Sequence, residues 1–272
     1  MSEIRSPTPI VLVHGILGFD QMSLFGVKVT EYFRKIPAAL REAGYIVPKP
    51  PQLNPIGGIA ERAQQLKDHL NDENNPDLFG KPVHLIVHSL GGLDARYMIS
   101  KLDMAERVVS LTTIGTPHHG SLLADLTVSL SEPILTRWVK RFGIDMQAVC
   151  DLTTEACERF NQEVLESPKV RYFSIAGLFK PRRLFGKPLG ILGLPHEFIL
   201  KKQGESDGIV SVQSATFGQR AENWTFLGTW EANHFRLINW GTEVMPSMSE
   251  WRDETIIEKY KGVAAHVTAL EG

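Results

Sequence analysis

The feature that most constrains the fold of this chain is a strand-like run that ends at a serine followed by Leu-Gly-Gly. Residues 83–88, Val-His-Leu-Ile-Val-His, contain no Asp, Glu, Lys or Arg and predict a buried strand. Residues 93–102 then show helical periodicity, so Ser89 stands where a strand turns abruptly into a helix. Such a corner holds a serine hydroxyl in an exposed turn at the C-terminal edge of a sheet, where it can attack an ester or amide carbonyl. Val87 replaces the first glycine of G-x-S-x-G, so an ordinary strand-turn-helix corner is the alternative.

Strand and helix patterns alternate along the rest of the chain. Continuous apolar strands that alternate with helices predict an α/β fold, with a mostly parallel central sheet flanked by helices. The predicted strands are Ile10–Val13, Tyr45–Pro48, Val83–His88, Val108–Ile114, Val170–Ile175 and Trp224–Trp230. The predicted helices include Val29–Ala43, Ile59–Leu70 and Leu93–Leu102. Ligands bind such sheets at the carboxyl ends of the strands, which is where Ser89 falls.

The bulk properties fit a single domain over residues 1–272 and exclude some classes of partner. A formal net charge of −2 offers no reason to expect nucleic acid as a ligand. No apolar run reaches the roughly 18 residues of a membrane span, and the polar N-terminus lacks the apolar core of a signal peptide. Two cysteines, Cys150 and Cys157, are expected to be reduced. These features favour a cytoplasmic protein, with secretion as the alternative, and leave the oligomeric state open.

Residues 120–167 interrupt the alternation with helical segments and no evident strand between them. Leu122–Leu130 and Ile134–Phe142 carry the clearest helical patterns. We interpret the segment as an inserted helical cap, whose apolar stripe covers the site and moves as a lid at a lipid–water interface. The alternatives are ordinary crossover helices and a stripe that is permanently buried in the core.

A nucleophilic serine needs a histidine base and an orienting carboxylate. In α/β-hydrolases these follow in the order Ser, Asp or Glu, His, with the histidine after the last strand, which places His234 correctly. Asp207 is the best acid, because it lies in a polar turn just before that strand, although Asp-Gly pairs are also common in simple turns. The less suitable histidines are His118 and His119, interpreted as structural, and His266, interpreted as a surface residue. The less suitable aspartates, which lie in the cap, are Asp125, Asp145 and Asp151.

Two backbone N–H groups are candidates for the oxyanion hole, which stabilises the negative charge of a tetrahedral intermediate. One should come from the residue after the nucleophile and one from the loop after the first strand. In this chain they belong to Leu90 and Ile16, and His14-Gly15 forms the corner that precedes Ile16.

Several segments, in the same order, resemble the Pseudomonas and Burkholderia triacylglycerol lipases of the α/β-hydrolase superfamily. The resemblance spans about residues 9–240, and its motifs are Pro9–Asp20, Ile36–Arg41, His88–Gly92, Gly115–Ser121, Phe160-Asn161, Asp207–Val210 and Asn233-His234. It implies that Ser89, Asp207 and His234 form a catalytic triad and that Ile16 and Leu90 supply the oxyanion N–H groups. It also implies an α/β-hydrolase fold with a mobile lid over an apolar acyl pocket.

The chain departs from this family at the positions of its structural calcium and its disulfide. One family calcium ligand is an aspartate two residues after the catalytic histidine, where this chain has Arg236, and residues 178–206 contain no aspartate. Gln213 stands where the family has a disulfide cysteine. We therefore expect no calcium and no other cofactor. Arg236 should anchor the histidine loop instead, by pairing with Glu197, Glu205 or backbone carbonyls; a solvent-facing Arg236 is the alternative.

The leading functional hypothesis is a serine-dependent carboxylic-ester hydrolase that cleaves acylglycerol esters through an acyl-enzyme. A thioesterase or acyltransferase would use the same triad and is the enzymatic alternative. A non-catalytic binding protein with a hydrolase fold is the alternative from another class, and the complete triad with both oxyanion positions argues against it.

Overall fold

The structure is a computed structural model that describes residues 8–16, 22–24, 27–29, 31–129, 146–190, 192–217, 223–240 and 253–271, and for residues 22–24, 27–29 and 253–254 the backbone alone. A five-stranded parallel sheet forms its centre, with the strand order β1-β4-β5-β6-β9. These strands are β1 (Ile10–Val13), β4 (Val83–His88), β5 (Val108–Ile114), β6 (Arg171–Gly177) and β9 (Trp224–Trp230). Two short antiparallel pairs of strands also lie within the described residues: β2 (Met22–Leu24) with β3 (Val27–Val29), and β7 (Arg183–Leu184) with β8 (Lys187–Pro188).

Helices connect the strands and cover both faces of the sheet, which confirms the predicted α/β architecture. They are α1 (Ile36–Glu42), α2 (Ile59–Leu70), α3 (Gly91–Lys101), α4 (Leu122–Ser129), α5 (Met146–Cys150), α6 (Thr154–Glu163), α7 (Gly193–Gln203), α8 (Val212–Ala215) and α9 (Asp253–Thr268). Short 3-10 turns cover Arg236–Ile238 and Ala269–Glu271.

The core consists of two apolar layers, one on each side of the sheet. Successive side chains of a strand point to opposite faces, so Ile10 and Leu12 enter one layer while Val11 and Val13 enter the other. Helices α1 and α9 pack in the first layer, and α2 and α3 pack in the second. Burial on both faces explains why the central strands are apolar without alternation.

Two predicted elements are wrong. The predicted helix Val29–Ala43 is only α1, because Lys35 adopts a left-handed backbone with φ 61° and Pro37 occupies the first turn, where a proline fits a helix start and not its interior. Val29 belongs instead to β3. The predicted strand Tyr45–Pro48 does not form a strand of the sheet; Ile46 accepts one backbone hydrogen bond from Ile10, at 2.9 Å.

The described parts of the predicted cap, residues 120–129 and 146–167, contain α4, α5 and α6 and no strand. The predicted segment Ile134–Phe142 lies outside the described residues. Cys150 ends α5 and Cys157 lies in α6, and both are free thiols, as predicted. Movement of the cap as a lid stays a prediction.

None of the described helices combines the length and the apolar character that crossing a membrane requires.

Helix α3 begins at Gly91, two residues before the predicted start, and its first turn packs directly against the end of β5. A Cβ at Gly92 would lie 2.2 Å from Thr116 Oγ1. The Thr116 hydroxyl in turn donates a hydrogen bond to the backbone carbonyl of Ser89 at 2.8 Å. The absence of a side chain at residue 92 therefore lets the helix approach closely enough for Thr116 to hold the Ser89 corner.

Gly92→Ala should lower the free energy of unfolding by about 1–3 kcal/mol, because the new methyl group must displace Thr116. Gly262→Ala is the matched control in α9, where an added Cβ meets nothing within 4 Å, and it should raise stability by about 0.5–1 kcal/mol. Chemical denaturation measures both changes. Equal stability of the Gly92→Ala variant and the wild type would contradict the close packing described.

Candidate functional site

Ser89 occupies the corner between β4 and α3 in a strained backbone conformation with φ 55°. Its N–H donates to the Ile114 carbonyl at 3.0 Å, which ties the corner to the end of β5. Gly15 lies in the loop that follows β1, which we call the β1 loop. A Cβ on Gly15 would lie 2.7 Å from the Ser89 Cβ, so only glycine permits this loop to approach Ser89 so closely. Ser89 is 9% exposed, and the expectation of an exposed turn is therefore wrong: the β1 loop covers the serine from one side.

The structure brings Ser89, Asp207 and His234 together, although 145 residues separate the serine from the histidine. The Ser89 Oγ lies 3.1 Å from His234 Nε2, and His234 Nδ1 lies 2.6 Å from Asp207 Oδ2. With Nδ1–H donating to the carboxylate, Nε2 is unprotonated and faces the serine hydroxyl. The imidazole is thus oriented to accept the serine proton.

Asp207 is fully buried and held rigidly in its turn. Its Oδ1 accepts backbone N–H bonds from Ile209 and Val210, at 2.8 and 2.7 Å, which leaves Oδ2 for the histidine. The His234 N–H donates to the Asp207 carbonyl at 3.0 Å, so the two loops are also joined through their backbones. A Cβ on Gly177 would lie 2.6 Å from the Asp207 Cβ, so the end of β6 forms the floor beneath the carboxylate.

Ile16 and Leu90, the predicted oxyanion residues, pack with the same apolar cluster beside the serine. Within the described part of the chain, neither of their backbone N–H groups donates a hydrogen bond. Leu90 is also the N-cap of α3, where the helix dipole favours negative charge. Two unoccupied donors beside a nucleophile can stabilise a developing oxyanion.

A buried ion pair that sequence reasoning missed supports the loop before Ile16. Arg62 Nε donates to Asp94 Oδ2 at 2.8 Å, and Arg62 Nη2 donates to the His14 carbonyl at 2.8 Å. Burial raises the pKa of the Asp94 carboxyl to about 6, against the opposing effect of the Arg62 charge. Arg62 follows Ile59 by three residues and so lies on the buried face of α2. A charged residue on the apolar face of a helix is the sequence signal that could have indicated this buried ion pair.

A second missed pair connects the same loop to the histidine. The Gly15 N–H donates to the Tyr32 hydroxyl at 3.0 Å, and that hydroxyl lies 2.8 Å from His88 Nδ1. The ring of His88 packs against that of His234, with 4.5 Å between their centroids. Burial, together with the charge of His234, lowers the pKa of His88 well below 6.5, which keeps His88 neutral beside the base.

His118, interpreted from the sequence as structural, is fully buried beneath the cap. Its Nε2 lies 2.9 Å from Thr113 Oγ1, and its Nδ1 lies 3.3 Å from Arg96 Nη1. Arg96 also donates to Asn161 at 2.9 Å and to Glu166 at 3.1 Å. The buried guanidinium therefore joins α3 to the described end of the cap.

The structure contains another Ser-His-acid array that lacks the properties of a nucleophile site. Ser110 Oγ lies 2.8 Å from His84 Nδ1, and His84 Nε2 lies 2.6 Å from Glu271 Oε1. Ser110 lies within β5 at 0% exposure, so no substrate can reach its hydroxyl. This array attaches the C-terminal turn to the sheet.

The other sequence candidates lie in structural contacts. Asp125 accepts from the Thr154 N–H and hydroxyl, and Asp151 accepts from the Ile59 N–H. His266 is exposed on α9, and Asp145 lies outside the described residues.

Arg236 is 2% exposed, which excludes the solvent-facing alternative. Glu197 pairs instead with Arg183. In the described ranges, no group of three or more His, Cys, Asp or Glu side chains is arranged to hold a metal ion.

Comparisons with known proteins agree with this geometry. Residues 9–188 match the family described as "Putative serine esterase (DUF676)". The chain is 33% identical over 214 residues to triacylglycerol lipase 2 of Saccharomyces cerevisiae, covering 75% of this chain and 61% of that protein. It is 27% identical over 256 residues to a triacylglycerol lipase of Pseudomonas fragi, covering 79% and 84%, which confirms the predicted resemblance. A solved structure of the mature Bacillus licheniformis lipase shares 27% identity at a TM-score of 0.69, covering 87% of this chain and 89% of that one.

The buried histidines should make the protein lose stability in acid. Burial, and next the charge of Arg96, lowers the pKa of His118 well below 6.5. Below about pH 6.5 the unfolded chain therefore binds a proton at this residue while the folded chain does not, so stability falls as pH falls, by up to ~1.4 kcal/mol per pH unit. His118→Gln should reduce the slope of unfolding free energy against pH by about that amount between pH 5 and 6. Chemical denaturation across this range provides the measurement, and an unchanged slope would contradict the assignment.

Proposed function

Because the chain belongs to this serine esterase family, we propose that it hydrolyses carboxylic esters with Ser89 as the nucleophile, His234 as the base and Asp207 as the orienting acid. One observation carries the proposal: the Ser89 hydroxyl lies 3.1 Å from an imidazole that is itself held by a buried carboxylate at 2.6 Å. This is the arrangement that a serine needs in order to become nucleophilic.

In the acylation step, Ser89 Oγ attacks the carbonyl carbon of the ester while its proton passes to His234 Nε2. The negative charge that develops on the carbonyl oxygen is stabilised by the N–H groups of Leu90 and Ile16, which have no other acceptor among the described residues. Asp207 stabilises the imidazolium and remains ionised. His234 then gives the proton to the departing alcohol, and the acyl group stays on Ser89.

Water completes the reaction by attacking the acyl-enzyme in the place that the alcohol has left. His234 takes a proton from the water, the hydroxide attacks the acyl-enzyme, and the N–H groups of Leu90 and Ile16 stabilise the second oxyanion. Proton transfer back to Ser89 Oγ releases the acid. The buried, neutral His88 ring against His234 favours this cycle, since it adds no competing positive charge beside the imidazolium.

We further propose acylglycerols at a lipid–water interface as the substrate, with the cap acting as a lid. The support is that both the yeast and the Pseudomonas relative are named triacylglycerol lipase, although the chain spans only 61% of the yeast protein's length. A thioesterase or acyltransferase would share the acylation step. Comparison of emulsified triacylglycerol with acyl-thioester substrates separates these activities.

Removal of either reacting side chain should abolish ester hydrolysis. Ser89→Ala and His234→Ala should each lower kcat for a p-nitrophenyl ester by about 10⁴-fold or more, and the double variant should be little worse than either, because the two residues act as a unit. Steady-state kinetics measures the three variants.

Ser110→Ala is the matched control, since it removes a serine from the other Ser-His-acid array. It should keep kcat within a few-fold of the wild type. Activity of Ser89→Ala within tenfold of the wild type, or a large loss in Ser110→Ala, would overturn the assignment of the nucleophile.

We also propose that the enzyme works without calcium. The loops that the metal joins in the related lipases are connected here by other means: the His234 N–H donates to the Asp207 carbonyl, and Lys180 Nζ lies 3.1 Å from Glu231 Oε2. Arg236, whose side chain is buried and whose backbone N–H donates to Asn233 Oδ1 at 2.9 Å, stands where one calcium ligand would be. A fixed positive charge at that position would repel a divalent ion.

EDTA should therefore leave both kcat and Tm unchanged. Arg236→Ala should destabilise the protein by about 1–3 kcal/mol, because it removes a large buried side chain from the histidine loop. Activity assays and thermal unfolding with and without EDTA make the test. A loss of activity in EDTA that added calcium restores would refute the proposal.

A further inference from the structure

The hairpin of β7 and β8 exposes large apolar side chains. We call residues 180–190 the basic hairpin. Phe185, at its tip, is 96% exposed, and the neighbouring Leu184 is also exposed. Leu194, in the first turn of α7, is 77% exposed, and Gly193 beside it packs against Pro188 of the hairpin. Exposed apolar side chains of this size are typical of a surface that binds a membrane, a ligand or another protein.

The basic hairpin and helix α7, which follows it, concentrate positive charge. Together, residues 180–203 contain six basic residues and one acidic residue, whereas the whole chain has a net charge of −2. Glu197 pairs with Arg183, and Glu231 from outside the segment pairs with Lys180. Lys187 lies two residues from the exposed phenylalanine and is itself exposed. An apolar tip surrounded by cations is complementary to a surface with anionic head groups above an apolar layer.

The base of the hairpin is attached beside the catalytic acid. Phe179 and Leu192, which precede and follow it, pack together against Ile209 and Phe235. A Cβ on Gly208 would lie 2.9 Å from the Leu192 Cβ. Ile209 and Phe235 are close neighbours in sequence of Asp207 and His234, so the hairpin emerges from the edge of the sheet that carries the site.

We propose that the basic hairpin docks the enzyme on anionic lipid surfaces, with Phe185 and Leu184 entering the apolar layer while Lys187 and its basic neighbours contact the head groups. The inference rests on the proposed function, because an enzyme that cleaves esters of long acyl chains must reach them at such a surface. Docking through this hairpin places the site against the surface that holds the substrate, independently of any movement of the cap.

The chain contains its own control for this proposal. The pentapeptide Leu-Phe-Gly-Lys-Pro occurs at residues 184–188 and again at residues 78–82. The second copy lies in the loop before β4, at the N-terminal ends of the parallel strands, whereas the site lies at their C-terminal ends. Phe79 in this copy is 47% exposed. Residues 71–82 contain three acidic residues and one lysine, and Arg107 donates to the carbonyls of Leu78 and Lys81, so the same five residue types lie there in a segment without the excess of positive charge.

Flotation with vesicles of non-hydrolysable ether lipids tests the proposal. The wild type should bind vesicles of phosphatidylcholine with phosphatidylserine, and binding should weaken in high salt and on phosphatidylcholine alone. Phe185→Ser and Lys187→Glu should each lower the partition coefficient by about tenfold or more. The matched variants Phe79→Ser and Lys81→Glu should change it less than twofold. All four variants should hydrolyse soluble p-nitrophenyl butyrate at the wild-type rate.

Failure of the docking proposal and failure of the proposed function give different results. Absence of wild-type binding to the anionic vesicles, or an equal loss in both pairs of variants, overturns docking by the hairpin while hydrolysis of p-nitrophenyl butyrate continues. Absence of that hydrolysis in the wild type overturns the proposed function whatever the vesicles show.

Discussion

The site depends on the close approach of the Gly15 backbone to the side chain of Ser89, which leaves no space for a Cβ at residue 15. A left-handed backbone is costly for a serine, and it persists only where the surrounding structure determines it. Here Gly15 closes on it from one side, and Thr116 holds its carbonyl from the other. These contacts also bring the loop that carries Ile16 against Ser89. The strained backbone at one residue thus positions both the proposed nucleophile and the loop that carries one of the proposed oxyanion donors.

Buried cations keep the surrounding loops in place. Arg62 holds the His14 carbonyl in the loop that carries Ile16 and pairs with Asp94 on α3. Arg96 holds the cap end through Asn161 and Glu166. Loss of either guanidinium would leave buried acceptors without a donor, which costs more than the pair itself contributes. Such contacts explain how loops can present side chains with the precision that acyl transfer requires.

The sheet and the principal site residues could be predicted from the sequence, because each has a local cause. The pattern of residues predicts β5 and β9 with their observed bounds: a mostly apolar run of β-branched residues indicates β5, and a run rich in aromatic residues and threonine indicates β9. The position of Ser89 followed from the strand-glycine-helix pattern, and those of Asp207 and His234 from their order along the chain. The helix predicted at Val29–Ala43 was wrong because its apolar spacing outweighed Pro37, whose position at a helix start was the better guide.

Other features depend on contacts between distant segments and leave little trace in a single sequence. The Tyr32–His88 pair joins residues 56 positions apart, and nothing near Tyr32 indicates it. The burial of Ser89 likewise depends on the loop after β1, which a local pattern around the serine does not include. The burial of Arg236 was open in the sequence for the same reason.

The most direct test of the central claim is to identify the residue that a p-nitrophenyl phosphonate ester modifies. If Ser89 is the nucleophile activated by His234, its Oγ will form a bond to phosphorus and release p-nitrophenolate, with the serine proton passing to the imidazole. Peptide mass spectrometry should then find the phosphonyl group on Ser89 in the wild type and should find none there in His234→Ala. A label on another residue, Ser110 included, or continued ester hydrolysis by fully labelled protein, would contradict the account.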